Sequence, residues 1–296
     1  MTLSVRQSYM NLKISNYLNM KQILLGLFSL VLLFIYSCRG KIEIDKEKGA
    51  MKNSLAILKN GTWIDLTWSF DERSVYWPTN IPFSHDTVFQ GFNDKGYYYS
   101  SFKFSAEEHG GTHFDAPVHF AQGGNTVEKI PLEQLTGEGV MIDISSKTAI
   151  NRDYQITADD IKDWENQNGH IPDNAIILFN TGFGKFYPDK ETYTGTTLSG
   201  KEGVENLHFP GLHPDAAHWL VSNRKIRAVG LDTPSIDFGQ SKDFMTHRIL
   251  YANNLTAYEN VANLNQLMPK GFWIMAFPMK IKGGSGAPLR IVAFVP

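Results

Sequence analysis

The 296-residue chain contains one cysteine, Cys38. That scarcity excludes an internal disulfide framework and a cysteine-rich zinc site, so any metal would have to be held by histidine and carboxylate. Lysine and arginine form no long run, and the formal net charge is -2. The chain therefore offers no basic field to grip a phosphate backbone; no nucleic-acid partner is expected, and a small molecule becomes the default ligand. No internal repeat is visible. The longest apolar run, Ile23 to Tyr36, has 14 residues, short of the ~20 needed to span a bilayer comfortably. What remains is ordinary: 42% apolar and 20% charged residues, enough for one domain with a full core.

Met20 and Lys21 precede the apolar run, which ends in Ser37 and Cys38. A small residue before a cysteine at such a boundary resembles the bacterial lipoprotein signal, in which the cysteine is lipidated and becomes the new N-terminus. Ile35 and Tyr36 depart from the commonest form of that box. Residues 1–37 are thus expected to be a lipoprotein-type signal peptide with Met20 as an alternative start, an uncleaved signal anchor being the competing reading. Residues 38–58, with Lys41, Glu43, Asp45, Lys46, Glu47 and Lys48, read as a lipidated N-terminus and tether. The expected location is extracytoplasmic, on the periplasmic side or at the outer membrane, with the lipid anchor as the only membrane contact. Removing residues 1–37 takes away Arg6, Lys13 and Lys21 and no acid, which leaves 25 basic against 30 acidic residues and lowers the net charge from -2 to -5.

Residues 59–296 form the expected domain. Runs suited to strands recur at Trp63–Trp68, Tyr97–Phe104, Val140–Ile144, Ala175–Phe179, Ile226–Leu231, Phe272–Phe277 and Arg290–Val295. Helical stretches separate several of them. Thr157 and Asp160 form a capping signal ahead of Ile161 and Trp164, and Pro214 suits the first turn of a helix bearing Ala217, Leu220 and Val221. A further helix-like stretch runs from Phe244 to Tyr251. Strands interleaved with helices predict an α/β fold, one compact domain with a mixed β-sheet. The longest predicted loop is Pro188–Phe209.

The segment His109-Gly-Gly-Thr-His113-Phe-Asp115-Ala-Pro-Val-His119 places four metal-binding or proton-handling groups within eleven residues. On a helix His109 and His113 would share a face, but Asp115 would lie about 120° away. On an extended chain His113 and Asp115 share a face, yet His109 would stand about 13 Å from His113, too far for a common ion with ligand bonds of about 2 Å. A bend is required, and Gly110 and Gly111 can supply it, with Pro117 stiffening the exit. Two histidines and one carboxylate leave coordination positions for water and substrate. A bound divalent ion would acidify water and polarise a carbonyl, and His119 is placed to transfer protons.

This segment resembles the signature of the cyclase-like metal-dependent hydrolases, which include bacterial kynurenine formamidases and isatin hydrolases: His-x-Gly-Thr-His-x-Asp-x-Pro-x-His, matched at every fixed position from His109 to His119. The resemblance extends over residues 60–296 through Ile64-Asp65-Leu66-Thr67, Thr181-Gly182, Phe209-Pro210-Gly211, Gly230-Leu231-Asp232-Thr233-Pro234-Ser235 and Glu259-Asn260-Val261-Ala262-Asn263-Leu264. It implies a swivelling β/β/α domain that forms homodimers, with one or two divalent ions, zinc or manganese, per subunit. His109, His113 and Asp115 would bind one ion. Asp115 would bridge to a second, completed by His247 and Glu259, which have the family spacing of twelve residues. His119 would handle protons, with Glu259 counted beside it among the catalytic groups. Trp77 is expected in the substrate pocket and Asp232 as a support of the metal loop from behind. His85, His170, His208, His213 and His218 are expected to be structural or solvated.

The implied reaction is hydrolysis of an amide-like C–N bond in a small aromatic substrate, an N-formyl aryl amide or an isatin-like lactam. An extracytoplasmic location favours the lactam, because a kynurenine formamidase of tryptophan breakdown is expected in the cytoplasm. The alternatives are a lactone hydrolase on the same scaffold and a non-catalytic metal- or ligand-binding lipoprotein.

Overall fold

The computed structural model describes residues 57–296, of which Gly61–Pro296 form one compact unit. The expected signal peptide, Cys38 and all but the end of the expected tether lie outside the described residues. The strands are β1 (Thr62–Asp65), β2 (Ser84–Phe92), β3 (Tyr98–Ser105), β4 (His113–Asp115), β5 (Thr136–Asp143), β6 (Gln155–Ile156), β7 (Ala175–Asn180), β8 (Gly211–Leu212), β9 (Ile226–Leu231), β10 (Thr256–Glu259), β11 (Phe272–Pro278) and β12 (Gly286–Val295). The helices of the unit are α1 (Ser145–Thr148), α2 (Ala158–Asn168), α3 (Lys190–Thr194), α4 (Gly200–Glu205), α5 (Pro214–Asn223) and α6 (Met245–Ala252).

Eight strands make one mixed sheet in the order β1-β12-β11-β5-β7-β9-β10-β4, and β12 pairs with β4 as well, which closes the sheet into a ring. Strands β5, β7, β9 and β10 run parallel to one another. Strand β7, Ala-Ile-Ile-Leu-Phe-Asn, is buried at every residue. Its side chains alternate, as strand geometry requires. Ile176 and Leu178 point into the ring with Phe114, Tyr258 and Ile274, whereas Ile177 and Phe179 face outward beneath the helices, with Ile161, Trp164 and Leu220. Burial on both faces explains the continuous apolar run that marked this strand in the sequence.

Both predicted helix starts are present. Thr157 caps α2 in a reciprocal box with Asp160, and Pro214 opens α5, whose N-cap His213 accepts a hydrogen bond from Asp215 N through Nδ1 at 3.0 Å. The predicted loop Pro188–Phe209 instead contains α3 and α4. Asp189 caps α3 by accepting from Thr192 N, a polar signal that the scarcity of apolar periodicity obscures. Strands β2, β4, β6, β8 and β10 were not among the predicted ones; β6 and β8 have two residues each. β2 forms a hairpin with β3 apart from the ring, exposed along nearly its whole length, so it lacks an alternating pattern. β4 and β10 are three and four residues long, too short to show a period.

Candidate metal centre

The predicted bend is present. Gly110 forms an isolated bridge with Tyr76, and a side chain at Gly110 would collide with the Tyr76 ring. Gly111 adopts φ +57°, in the left-handed region that a β-carbon disfavours. The turn brings the His109 and His113 rings to a centroid distance of 5.4 Å, which no extended chain could do. Beyond it β4 presents His113 and Asp115 on one face, as residues two apart on a strand must be, while Phe114 fills the ring core.

Pairing of β4 with β10 sets Glu259 directly opposite His113. Helix α6 contributes His247 and, one turn later, Tyr251. The donor atoms of His109, His113 and Asp115 lie within 4.8 Å of one another, and so do those of Asp115, His247 and Glu259. These two groups share Asp115, the arrangement expected of a bridging carboxylate. His109 Nδ1 is 2.7 Å and His113 Nε2 3.3 Å from Asp115 Oδ1; His247 Nε2 is 3.5 Å from Asp115 Oδ2 and 3.1 Å from Glu259 Oε1. All of His113, Asp115, His247 and Glu259 are buried.

Tautomers in the cluster are set by groups behind it. His113 Nδ1 donates to Gly111 O at 3.0 Å, and His247 Nδ1 donates to Asp237 Oδ2 at 2.5 Å. In its neutral form each ring therefore keeps its proton on Nδ1 and turns the Nε2 lone pair toward the carboxylates. His113 Nε2 is fully buried and makes no directional hydrogen bond, although it lies 3.2 Å from Glu259 Oε2. A buried imidazole nitrogen set 3.2–3.3 Å from two carboxylate oxygens without hydrogen-bond geometry suits a ligand of a common ion, whose tetrahedral bonds of about 2.0–2.2 Å put ligand atoms about 3.3–3.6 Å apart.

The electrostatics agree with that fit. Burial alone would depress His113, but the neighbouring carboxylates of Asp115 and Glu259 raise it to about 10. Burial acts the same way on His247, and contacts with Asp115, Asp237 and Glu259 outweigh it and raise the group well above its usual value. Asp115, which burial pushes up, is held well below the usual carboxylate range by His109, His113 and His247. For Glu259 burial and the Asp115 charge push upward, yet His113 and His247 bring it below its ordinary value. The cluster thus demands positive charge, and a divalent cation can supply it in place of protons.

His119 stands beside the cluster. Its ring stacks on His109 at 3.7 Å and lines a cavity of about 250 Å³ with His113, Trp77, Phe120, Ser235 and Phe244. Burial brings it down to about 4, with His109 and His247 adding to the effect against Asp115 and Glu259. Trp77 lines the same cavity, packed edge-on to Phe209 at 6.5 Å. The other five histidines lie outside both donor groups.

Asp232 does not hold the metal loop as expected. Its carboxylate accepts from Thr181 N, Thr181 Oγ1 and Gly184 N, tying down the turn after β7. The supporting roles fall to residues that spacing did not reveal. Asp237 orients His247. Asn260, at φ +51°, turns its amide to donate to Gly111 O at 2.7 Å. Tyr251 donates to Asp115 Oδ2 at 2.7 Å; its position four residues after His247 on one helix face was the one available signal.

Comparison with known proteins gives the same picture. The family model described as "Putative cyclase" matches residues 64–238. An isatin hydrolase of Roseibium aggregatum is 33% identical over 197 residues, 64% of this chain and 72% of the relative. A kynurenine formamidase of Bacillus mycoides is 26% identical over 79% of this chain and 98% of its own length. Among solved structures, isatin hydrolase A from Ralstonia solanacearum superposes with a TM-score of 0.75 at 31% identity, covering 84% of this chain and 97% of that one. Fold, motif and sequence all place the chain in one lineage: it belongs to the putative cyclase family.

Proposed function

We propose that this protein is a metal-dependent hydrolase that cleaves the C–N bond of a small aromatic amide or lactam. The observation that carries the reading is the pair of donor groups sharing Asp115 at the floor of a cavity walled by Trp77, Phe120 and Phe244. Flat apolar walls with a few convergent polar groups suit an aryl substrate. His109, His113 and Asp115 would hold one cation, and Asp115, His247 and Glu259 a second; zinc and manganese both suit imidazole with carboxylate. When bound, such an ion supplies Lewis-acid polarisation of a carbonyl and acidifies water. His119, neutral at physiological pH because its value is about 4, accepts a proton at its imidazole nitrogen during attack and returns it to the departing nitrogen. Glu259, with Oε1 fixed by Ile236 N at 2.8 Å, keeps its second oxygen toward His113 and the cavity. The aromatic walls exclude bulk water, which strengthens these interactions.

The relatives support isatin-like lactams and N-formyl aryl amides as substrates, and an extracytoplasmic location, expected from the lipoprotein-type N-terminus, would favour the lactam. We infer that Cys38 carries the anchor. The exposed aromatics Phe92, Tyr98 and Phe104 on the β2–β3 hairpin support a homodimer, which sedimentation of the mature protein would test. The catalytic reading is tested with His119→Ala on the metal-loaded protein against isatin, formyl-aryl amides and lactones. Metal content should stay at the parental value while turnover falls about 10²–10⁴-fold. Parental turnover by the variant would overturn the assignment, and preferred hydrolysis of lactones would shift the substrate class.

A further inference from the structure

The His109 ring is held from behind by a relay that the hydrolase reading leaves unused. Its Nε2 lies 2.9 Å from Ser285 Oγ, and Ser285 Oγ lies 2.7 Å from Glu108 Oε2. That same carboxylate oxygen accepts from Ser285 N at 2.8 Å and Gly286 N at 3.1 Å. Three donors thus converge on Glu108 Oε2. Ser285 has one hydroxyl proton, and it is committed to Glu108. The hydroxyl oxygen can then only accept from the imidazole, which requires the proton on Nε2 and leaves Nδ1 facing Asp115 Oδ1, 2.7 Å away.

A ring flip would exchange both bonding nitrogens for carbons and lose the contacts with Asp115 Oδ1 and Ser285 Oγ together. The ring edge also packs tightly on Gly286, where a β-carbon would collide with His109 Cε1. The segment that carries Ser285 is itself fixed, because Ala116 N donates to Ser285 O at 2.9 Å and Gly286 pairs with Asp115 as β12 meets β4. Closure of the ring and orientation of His109 are therefore one structural event.

We propose that Glu108 and Ser285 are positioning residues that select the Nε2-protonated tautomer of His109, so that Nδ1 is its metal-ligating atom. This is the reverse of His113 and His247, which turn Nε2 inward. The inference rests on the assignment of His109 as a ligand and not on the identity of the substrate. Groups behind metal-bound histidines typically contribute 10–100-fold in metal affinity.

The test is direct Zn²⁺ binding by chelator competition, together with ¹⁵N chemical shifts of labelled histidine rings in the Zn²⁺-loaded protein. The parent should show His109 metallated at Nδ1 and protonated at Nε2. Ser285→Ala should weaken Zn²⁺ binding about 10–100-fold, and Ser285→Thr, which keeps the hydroxyl, should restore it. Glu108→Gln provides an independent variant and should weaken binding in the same direction. Metallation of His109 at Nε2, or parental affinity in Ser285→Ala, would overturn the proposal. A protein that binds Zn²⁺ in this manner yet hydrolyses none of the amides, lactams or lactones would refute the hydrolase reading and leave this inference standing.

Discussion

Replacement of Asp237 by asparagine separates the fold of the site from its capacity for metal. Asp237 Oδ2 accepts from His247 Nδ1 at 2.5 Å and from His247 N at 3.2 Å, and Oδ1 accepts from Thr246 N at 3.1 Å. Asparagine has the same shape and one acceptor oxygen. If that oxygen serves Thr246 N, the amide NH₂ faces the two His247 donors. The backbone N–H then loses its partner, at a cost of about 1–3 kcal/mol. The imidazole must also move its proton to Nε2, the atom aimed at Asp115 and Glu259, where it blocks the lone pair a cation needs. Loss of such a partner typically weakens metal binding 10–100-fold, about 1.4–2.7 kcal/mol. The assay is Zn²⁺ competition with a chelator at neutral pH, with ion count by elemental analysis. Parental affinity and parental ion count in Asp237→Asn would refute the tautomer argument. A pH profile adds a signed check on the metal-free protein. Burial raises the Asp237 carboxyl, but His247 and the backbone lower it below its ordinary 3.8. A depressed folded value means its stabilisation is fully present above the unfolded value and is lost as pH falls through the folded one. Asp237→Asn should lack that part of the acid limb.

Two further predictions concern the scaffold. Thr157→Ala removes the side-chain cap of α2 and should lower stability by about 1 kcal/mol in urea denaturation, with metal affinity unchanged; a loss of affinity would show coupling that the separation of α2 from the cluster does not explain. Gly111→Ala forces a β-carbon into φ +57° and against the Phe70 ring at 2.5 Å; left-handed strain of about 1–2 kcal/mol and overpacking of about 1–3 kcal/mol should combine with loss of Zn²⁺ binding. Parental stability and affinity in Gly111→Ala would show that the loop can bend elsewhere.

Some parts of the molecule were legible because their cause is local. The Thr157 box and Pro214 start their helices through contacts within one turn, and β7 announces itself because both faces are covered. The helix around His247 was legible for the same reason, as its apolar face repeats at helical spacing. The short strands β4 and β10 were hidden because three or four residues carry no period. The β2–β3 hairpin was half hidden because both strands are exposed and only β3, with Tyr98, Tyr99, Phe102 and Phe104, carries the aromatic run that reads as a strand.

The amino-acid sequence alone determined the chemistry of the ligand loop: which groups could bind a cation, that Gly110 and Gly111 must bend the chain between them, and that His119 follows at reach. Only the tertiary structure decided which distant residues aim those groups. Asn260, Tyr251 and Ser285 meet the loop, and Asp237 meets His247, through ring closure of β12 on β4 and through the packing of α6, with the loop contact to Ser285 spanning 176 residues of chain. The physical reason is that a hydrogen bond selects a tautomer by direction and distance in space, and spacing along the chain encodes neither once the partners lie on different elements.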